Sequence, residues 1–579
     1  MKTVTFTFIF SFFTIVLSAQ TSNFNWAGSI SGSGDVSPSS VQTDNLGYIY
    51  VAGEFSGVAD FDPGTETLSL ESSGYDDIFI QKLSNQGDLI WAKHIGAAYN
   101  DNCNHMIIDA SANIYITGSF SLDVDMDPGE GTYMLNDGSD DIYIAKYDSA
   151  GNFIWAHAFG SDEIVSDQGA SISIDNQGNV LLTGYFQGTI DFDPGVGVQE
   201  LTAPYSPSCY ILKLNENGEF IWAKSITSYD YVEGHTIKTD NKNNIYVSGL
   251  FETTTDFDPG TTTSELTPTG DYDAFLLKLD KDGNFKWAIC PGGTANNTNL
   301  DKKRPFEIDS NGNIILAFHF DETIDLDPKT GVTELTPTGF WSDIFLQKLD
   351  SLGNLVWVQQ IGGEEDEELG ALYIDDQDNI YIGGSYEGTV DFDTSEGTLE
   401  LSAGLSYNQA LFISKYNTDG EIQWGYSTSW SEDDGSWPFG QVFEITTNKE
   451  GRILATGQFW DTYNFNPEGL AVNLEAPDDL YSGFILYLNN TVVLNEKYSI
   501  DNENIDLYPN PFSNEIRITG NKNFHATQLS VFSVSGQCIY TAQFNENGYK
   551  INTENIPKGI YLVKINNEKS EIVKKMIKK

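Results

Sequence analysis

The sequence predicts an all-β protein: a seven-bladed β-propeller closed by an N-terminal strand, followed by a small Ig-like β-sandwich. Three observations carry this expectation. An Asp-Phe-Asp motif recurs at Asp60-Phe61-Asp62, Asp191-Phe192-Asp193, Asp256-Phe257-Asp258 and Asp391-Phe392-Asp393. Its variants are Asp125-Met126-Asp127, Asp325-Leu326-Asp327 and the uncharged Asn464-Phe465-Asn466. A Trp segment recurs at Trp26, Trp91, Trp155, Trp222, Trp287, Trp357 and Trp424, so both markers step by roughly 65–70 residues. Between them lie short apolar runs bounded by Gly, Asn and Asp, the pattern of strands and tight turns.

Taken in order, residues 1–19 (MKTVTFTFIFSFFTIVLSA) join Lys2 to an apolar run and end in small residues. That is the pattern of a secretory signal peptide, too short for a membrane span. No Cys follows the expected cleavage point, which argues against a lipoprotein anchor. No later stretch approaches about 18 uninterrupted apolar residues, so the mature chain is expected to carry no transmembrane segment.

The propeller is assigned to 23–488. FNWAGSI (Phe24–Ile30) matches the Trp strand LIWAKHI of the next repeat, yet it stands before any complete repeat. The last repeat, Arg452–Leu488, lacks a Trp strand of its own. Ring closure explains both, with the N-terminal strand completing the final blade and removing free sheet edges. Each repeat offers four strands, exemplified by SISID (Ser171–Asp175), NIYVSGLF (Asn244–Phe251), DAFLLKL (Asp273–Leu279) and the Trp strand. In LIWAKHI, Leu89, Trp91 and Ile95 share one face while Ile90 and Ala92 share the other. A strand apolar on both faces needs cover on both sides, which sheets stacked around an axis supply. These units resemble β-propeller repeats of the SBBP type, related in pattern to NHL propellers; the resemblance implies a fold and no single activity.

Residues 489–504 read as a polar linker and 505–579 as the last domain. Short alternating segments such as EIRITG and QLSVFSV predict an antiparallel sandwich there. LYPNPF (Leu507–Phe512), VSGQCIY (Val534–Tyr540), IPKGIYLVKI (Ile556–Ile565) and KKMIKK (Lys574–Lys579) follow one another. In this order they resemble the type A sorting domain of type IX (Por) secretion in Bacteroidetes-type bacteria. The resemblance implies handling by the type IX machinery, export across the outer membrane and removal of the tail. Release or attachment to surface lipopolysaccharide would follow.

Charge divides the chain in the same place. The repeat region holds 76 acidic against 19 basic residues, −57, whereas the chain from Asp501 on is near +2. Such a field excludes nucleic acid and anionic membrane as partners and favours cations or basic proteins. Solubility and salt tolerance are the simpler account. Four cysteines (Cys103, Cys209, Cys290, Cys538) show no zinc-ligand spacing and read as isolated thiols.

The repeated acids pose the chemical question. Residues two apart on a strand share a face, so each Asp-x-Asp sets two carboxylates side by side. Three devices can offset their repulsion. The Asp-Pro-Gly turn lets Asp accept backbone N–H bonds. A lysine recurs in the third strand (Lys82, Lys146, Lys213, Lys278, Lys348, Lys415) and can pair with Asp. The third is calcium, held by Asp60, Asp62, Asp125, Asp127, Asp191, Asp193, Asp256, Asp258, Asp325, Asp327, Asp391 and Asp393. Asp77, Asp141, Asp273 and Asp343 would add further ligands. Capping and lysine pairing are preferred, because no EF-hand-like loop is present and Asn464 and Asn466 replace both acids in the last repeat.

No G-x-S-x-G, H-E-x-x-H or P-loop occurs, no cofactor is implied and no catalytic residue is assigned. His105 and His235 fall near first strands, which line a propeller's channel; Glu364–Glu368 reads as a solvated run in an inter-blade loop. Trp341, Trp430, Trp437 and Trp460 break the repeat, and Trp430 with Trp437 forms a loop suited to stacking on sugars or gripping a protein. The expected function is therefore non-enzymatic: a secreted or surface-displayed adhesion module for an extracellular glycan or protein. The alternatives are a polysaccharide hydrolase or lyase on a propeller scaffold, and a calcium-stabilised structural surface protein.

Overall fold

The computed structural model describes residues 22–492, apart from 162–164, 292–305, 330, 396, 405–408, 430–437, 468 and 478. Beyond them it describes 506–508, 515–519, 528–533, 538–543, 550–553, 558–566 and 571–578. The expected signal peptide, residues 1–19, lies outside the described residues, as do Trp430 and Trp437. The chain divides into two units, 1–493 and 494–579.

The first unit is a seven-bladed β-propeller. Blade one runs from the axis outward as Val36–Thr43, Ile49–Phe55, Asp77–Leu83 and Leu89–Ile95, all antiparallel. Five blades repeat this order over 101–159, 168–226, 232–289, 306–361 and 367–427. Blade seven joins Phe439–Thr447, Ile453–Trp460 and Ser482–Val492 to the N-terminal strand Ser22–Gly32, which closes the ring as the sequence predicts. The third strands DIFIQKL (Asp77–Leu83) and DIFLQKL (Asp343–Leu349) are buried at every position. Only neighbouring blades on both faces can achieve that.

Blades hold one another by three repeated devices. Near the axis the first strands break register between, for example, Cys103 and His105, and the residue after the break reaches the next blade. Ser40 Oγ accepts Met106 N at 3.0 Å, His105 Nδ1 accepts Ile172 N at 3.0 Å, and Glu444 Oε2 accepts Val41 N at 2.8 Å across the closing seam. At the opposite margin, five of the seven recurring Trp residues, Trp26, Trp91, Trp155, Trp222 and Trp287, pack on a turn glycine of the following blade. A Cβ on Gly87, Gly151 or Gly218 would come within 3.0 to 3.1 Å of the ring of Trp26, Trp91 or Trp155, and those glycines have φ of +89°, +75° and +80°. Only glycine meets both conditions cheaply. Finally, the Asp-x-Asp hairpin reaches back to the preceding blade: Ser31 pairs with Asp60, Gly362 with Asp391 and Ser429 with Asn464.

Two expectations are corrected. The final blade strand extends to Val492, with Asn23 opposite Asn489 and Ser22 opposite Val492, so residues 489–492 are propeller rather than linker. The Trp strand is not covered on both faces: Ile90, Ile154, Ile221 and Val356 are 42–54% exposed. These strands are the outermost of their blades, where radially arranged sheets diverge.

The second unit holds two antiparallel sheets. One orders Asp506–Tyr508, Glu515–Thr519 and Lys550–Asn552; the other orders Cys538–Gln543, Gln528–Ser533, Gly559–Asn566 and Glu571–Lys578. Ile516, Leu529, Val531 and Val563 are its fully buried apolar residues among those described.

Candidate functional site

The repeated acids are used up in turns. Asp60 Oδ1 accepts the amides of Asp62 (3.0 Å) and Leu68 (2.9 Å), and Asp62 Oδ1 accepts that of Gly64 (2.8 Å). Asp125, Asp191, Asp256, Asp325 and Asp391 repeat the first two bonds, and Asp127, Asp193, Asp258, Asp327 and Asp393 repeat the third. Asn464 Oδ1 makes the same pair of bonds, to Asn466 N and Val472 N, both at 3.0 Å. An uncharged amide oxygen thus does the work of the carboxylate. The residue between (Phe61, Met126, Phe192, Phe257, Leu326, Phe392, Phe465) is fully buried in every repeat. Among the described residues, no group of three or more His, Cys, Asp or Glu is placed to hold a metal ion.

The recurring lysines do pair with aspartate, but with a different one. Asp44, Asp109, Asp175, Asp240, Asp309 and Asp375 cap the turn between first and second strands, each Oδ1 accepting the amides two and four residues on. Where Tyr precedes the lysine on the neighbouring strand, its hydroxyl donates to the second oxygen: Tyr50 to Asp44 at 3.1 Å, Tyr246 to Asp240 at 3.3 Å, Tyr381 to Asp375 at 2.9 Å. The ammonium then lies over the ring, 4.7 Å from the centroid for Lys82 on Tyr50 and for Lys278 on Tyr246. Burial pulls these ammonium pKa values down, while Asp44 and Asp240 pull them back up. Blades three and five carry Leu181 and Ile315 in place of Tyr, and there the lysine takes the oxygen directly: Lys213–Asp175 at 2.8 Å, Lys348–Asp309 at 3.1 Å. Burial would raise the Asp175 and Asp309 pKa values, but bonds from Lys213 and Asn179, and from Asn313 and Lys348, hold them below the usual range. Lysine also spans to the next blade, as in Lys82 Nζ to Ser149 O at 3.0 Å.

A second set of acids is paired in a way the sequence did not show: Asp77, Asp141 and Asp343, expected as further calcium ligands, are buried against a second carboxyl. Each of three blade seams buries two carboxyls, one opening a third strand and one opening the next blade's first strand: Asp77 with Asp101, Asp141 with Asp167, Asp343 with Glu367. A glycine packs on the third-strand acid each time, so a Cβ on Gly96, Gly160 or Gly362 would come within 2.2 Å of a carboxyl atom. Asp101 receives the amides of Ala97 (2.7 Å) and Ser121 (3.3 Å); Glu367 receives that of Gly363 at 2.9 Å. His94 at 2.5 Å from Asp77, and Gln360 Nε2 at 2.6 Å from Asp343, supply further bonds. Burial, against those amides and with Asp77 nearby, pushes Asp101 up to about 7. Burial, then the charges of Asp343, Asp366 and Glu365, pushes Glu367 up to about 9. The run Glu364–Glu368 is therefore not simply solvated: Glu364 is exposed, while Glu367 lies wholly inside. Being fully buried, these acids touch nothing that arrives from solvent.

The channel histidines are likewise committed to structure. His105 bonds Ile172 N and Ser171 Oγ, and His235 Nε2 lies 3.2 Å from Glu233. Cys103, Cys209 and Cys290 are unbridged; burial pushes the thiols of Cys209 and Cys290 up to about 12.

What solvent meets on the face bearing the inter-blade loops is aromatic. Tyr75 and Tyr99 are exposed on adjoining loops, joined by Asp101 N to Asp76 O at 2.7 Å. Tyr205 and Tyr229 are both 71% exposed with ring centroids 5.1 Å apart. Phe340 and Trp341 are exposed beside Glu364, Glu365 and Asp366, where Ser342 N donates to Asp366 Oδ1 at 3.1 Å. Of these, sequence reading singled out Trp341 alone. Trp460 is only half-buried, at the end of a blade-seven strand.

Comparison with known proteins adds the following. Residues 506–579 match the family model described as "Secretion system C-terminal sorting domain". An uncharacterized WD repeat-containing protein of Acanthamoeba polyphaga mimivirus is 22% identical over 537 residues, 79% of this chain; the chain spans 38% of that relative's length. A protein of unknown function from Bacteroides caccae aligns with TM-score 0.29 and 11% identity over 62% of this chain and 92% of its own. PorZ of Porphyromonas gingivalis, titled an essential bacterial surface component of the type-IX secretion system, aligns with TM-score 0.23 and 9% identity over 97% of this chain and 86% of its own.

Proposed function

We propose that this chain, whose residues 506–579 are a secretion-system C-terminal sorting domain, is an exported binding protein whose propeller engages an extracellular polymer or protein. Export by type IX secretion follows from the sorting domain itself. The binding reading rests on one contrast. The abundant acids are occupied in turn capping or sealed inside blade seams, whereas bulky aromatic side chains stand in solvent on the face of the inter-blade loops. Large exposed rings in a monomer mark a contact surface more often than a packing error.

A glycoside hydrolase of the usual kind needs two accessible carboxyls facing one substrate. The two carboxyls raised furthest, Asp101 and Glu367, are enclosed, so we read the protein as a binder and not a catalyst. A calcium-stabilised surface protein remains the competing structural reading. After export, attachment at the cell surface fits an adhesion role.

The test is an array of glycans and extracellular proteins probed with the full chain, with and without calcium. Hits are expected that weaken in Tyr205→Ala/Tyr229→Ala and in Trp430→Ala/Trp437→Ala. Hits unchanged in Tyr205→Ala/Tyr229→Ala would remove this face from the function, and hits unchanged in Trp430→Ala/Trp437→Ala would remove those two tryptophans.

A further inference from the structure

The exposed aromatics recur at alternate seams: Tyr75 and Tyr99 between blades one and two, Tyr205 and Tyr229 between three and four, Phe340 and Trp341 between five and six. Two of the three seams share a construction. The first residue of a blade donates its amide to the loop before the preceding blade's third strand, as in Asp101 N to Asp76 O (2.7 Å) and Glu367 N to Ser342 O (2.9 Å). At the first of them Tyr75 and Tyr99 stand on the two loops so joined; Phe340 and Trp341 stand together on one loop, and Tyr205 and Tyr229 meet directly, ring centroids 5.1 Å apart.

Acids that reach solvent stand at the same places: Asp76 at the first, Asp230 at the second, Glu364, Glu365 and Asp366 at the third. Among the described residues, the loops joining second to third strands and blade to blade contain one basic residue, Lys329. Its ammonium is bonded to Leu352 O and Asn354 Oδ1 in a third-to-fourth-strand turn, away from this rim. The run Lys302-Lys303-Arg304 lies outside the described residues. At the opposite end of the blades the recurring lysines are already paired with turn aspartates or laid over tyrosines. Among the described residues, no free ammonium or guanidinium group of these loops offsets the acids of this face.

Resting on the binding reading above, we infer that the partner is a cationic polypeptide, whose Lys and Arg side chains lie over the seam rings with the flanking carboxylates as counter-charges. A ring face attracts ammonium and guanidinium groups, and neighbouring carboxylates add directional bonds. The surrounding field raises the encounter rate for a cation and repels anionic polymers. A neutral glycan would gain nothing from the charge.

The full chain is titrated with fluorescent oligolysine, oligoglutamate of equal length and chitohexaose. Oligolysine is expected to bind, more weakly as salt rises, and oligoglutamate not at all. Phe340→Ala/Trp341→Ala or Tyr205→Ala/Tyr229→Ala should each weaken oligolysine about tenfold, the loss of two exposed cation–π contacts. Asp376→Asn/Asp419→Asn, in turns at the opposite end of blade six, should leave it unchanged. Equal losses in all three variants, or none, would reduce the effect to diffuse charge and overturn the inference. Chitohexaose binding that the ring variants abolish, with oligolysine unaffected by them, would overturn it while leaving the binding function standing. No binding by any probe, together with array hits indifferent to the rings, would remove both.

Discussion

The carboxyls on the circumference and those in the seams carry the same group to opposite ends. Asp60 and its counterparts sit at the surface, spend their oxygens on backbone amides, and are replaced without loss of geometry by Asn464. Asp101 and Glu367 are enclosed, face a second acid, and have their pKa values pushed up to about 7 and about 9. The strictly repeated acid is a hydrogen-bond acceptor that happens to be charged. The less regular one stores a proton.

The largest effect that sharpens this contrast is pH-dependent stability. A carboxyl whose pKa rises on folding binds its proton more tightly in the native state, so stability is fullest below its unfolded value and declines as pH climbs to the folded one. For Glu367 that window runs from 4.5 to about 9, and for Asp101 from 3.8 to about 7. The melting temperature should therefore fall by several degrees between pH 5 and pH 9. Glu367→Gln should recover much of the loss at pH 9 and gain nothing at pH 5, as followed by thermal unfolding. An identical pH profile for both proteins would mean that Glu367 is ionised in the native fold.

A smaller effect is expected on the circumference. Asp256→Ala, which strips the amides of Asp258 and Ser264 of their acceptor, should cost about 1 kcal/mol. Asp256→Asn should cost less than about 0.5 kcal/mol, because blade seven already uses that residue. Denaturant midpoints of the two variants decide it; equal losses would make charge, not acceptance, the requirement. The smallest effect concerns calcium. With one oxygen of each Asp-x-Asp residue committed to amides, millimolar calcium should leave the melting temperature unchanged. A rise reversed by chelator would restore the metal reading.

The ring and its closure were legible because each blade repeats the same landmarks, and an unpaired Trp26 at one end answered a missing Trp at the other. The lysine partners were misread for a geometric reason. Asp62 and Lys82 look adjacent along the chain, yet Lys82 lies opposite Tyr50, whose hydroxyl points to Asp44. Only the cross-strand register brings those three together. Asp77, Asp141 and Asp343 were singled out as calcium ligands and Glu367 was read within a solvated run, because their carboxyl partners come from the next blade and no local pattern shows the pairing. The glycines at 96, 160 and 362 were the available signal, since each accompanies an acid at the start of the third strand.

Closure by the N-terminal strand has a consequence for assembly. Val41 and Glu444 are 403 positions apart, and Trp26 meets Tyr487 only when nearly all of the first unit has been made. Contacts that distant form late, after six partial sheets have already stacked. Until then Trp26 and the bare flank of blade seven present sticky apolar surface, and a cut near either end of the first unit would spring the circle open rather than trim it.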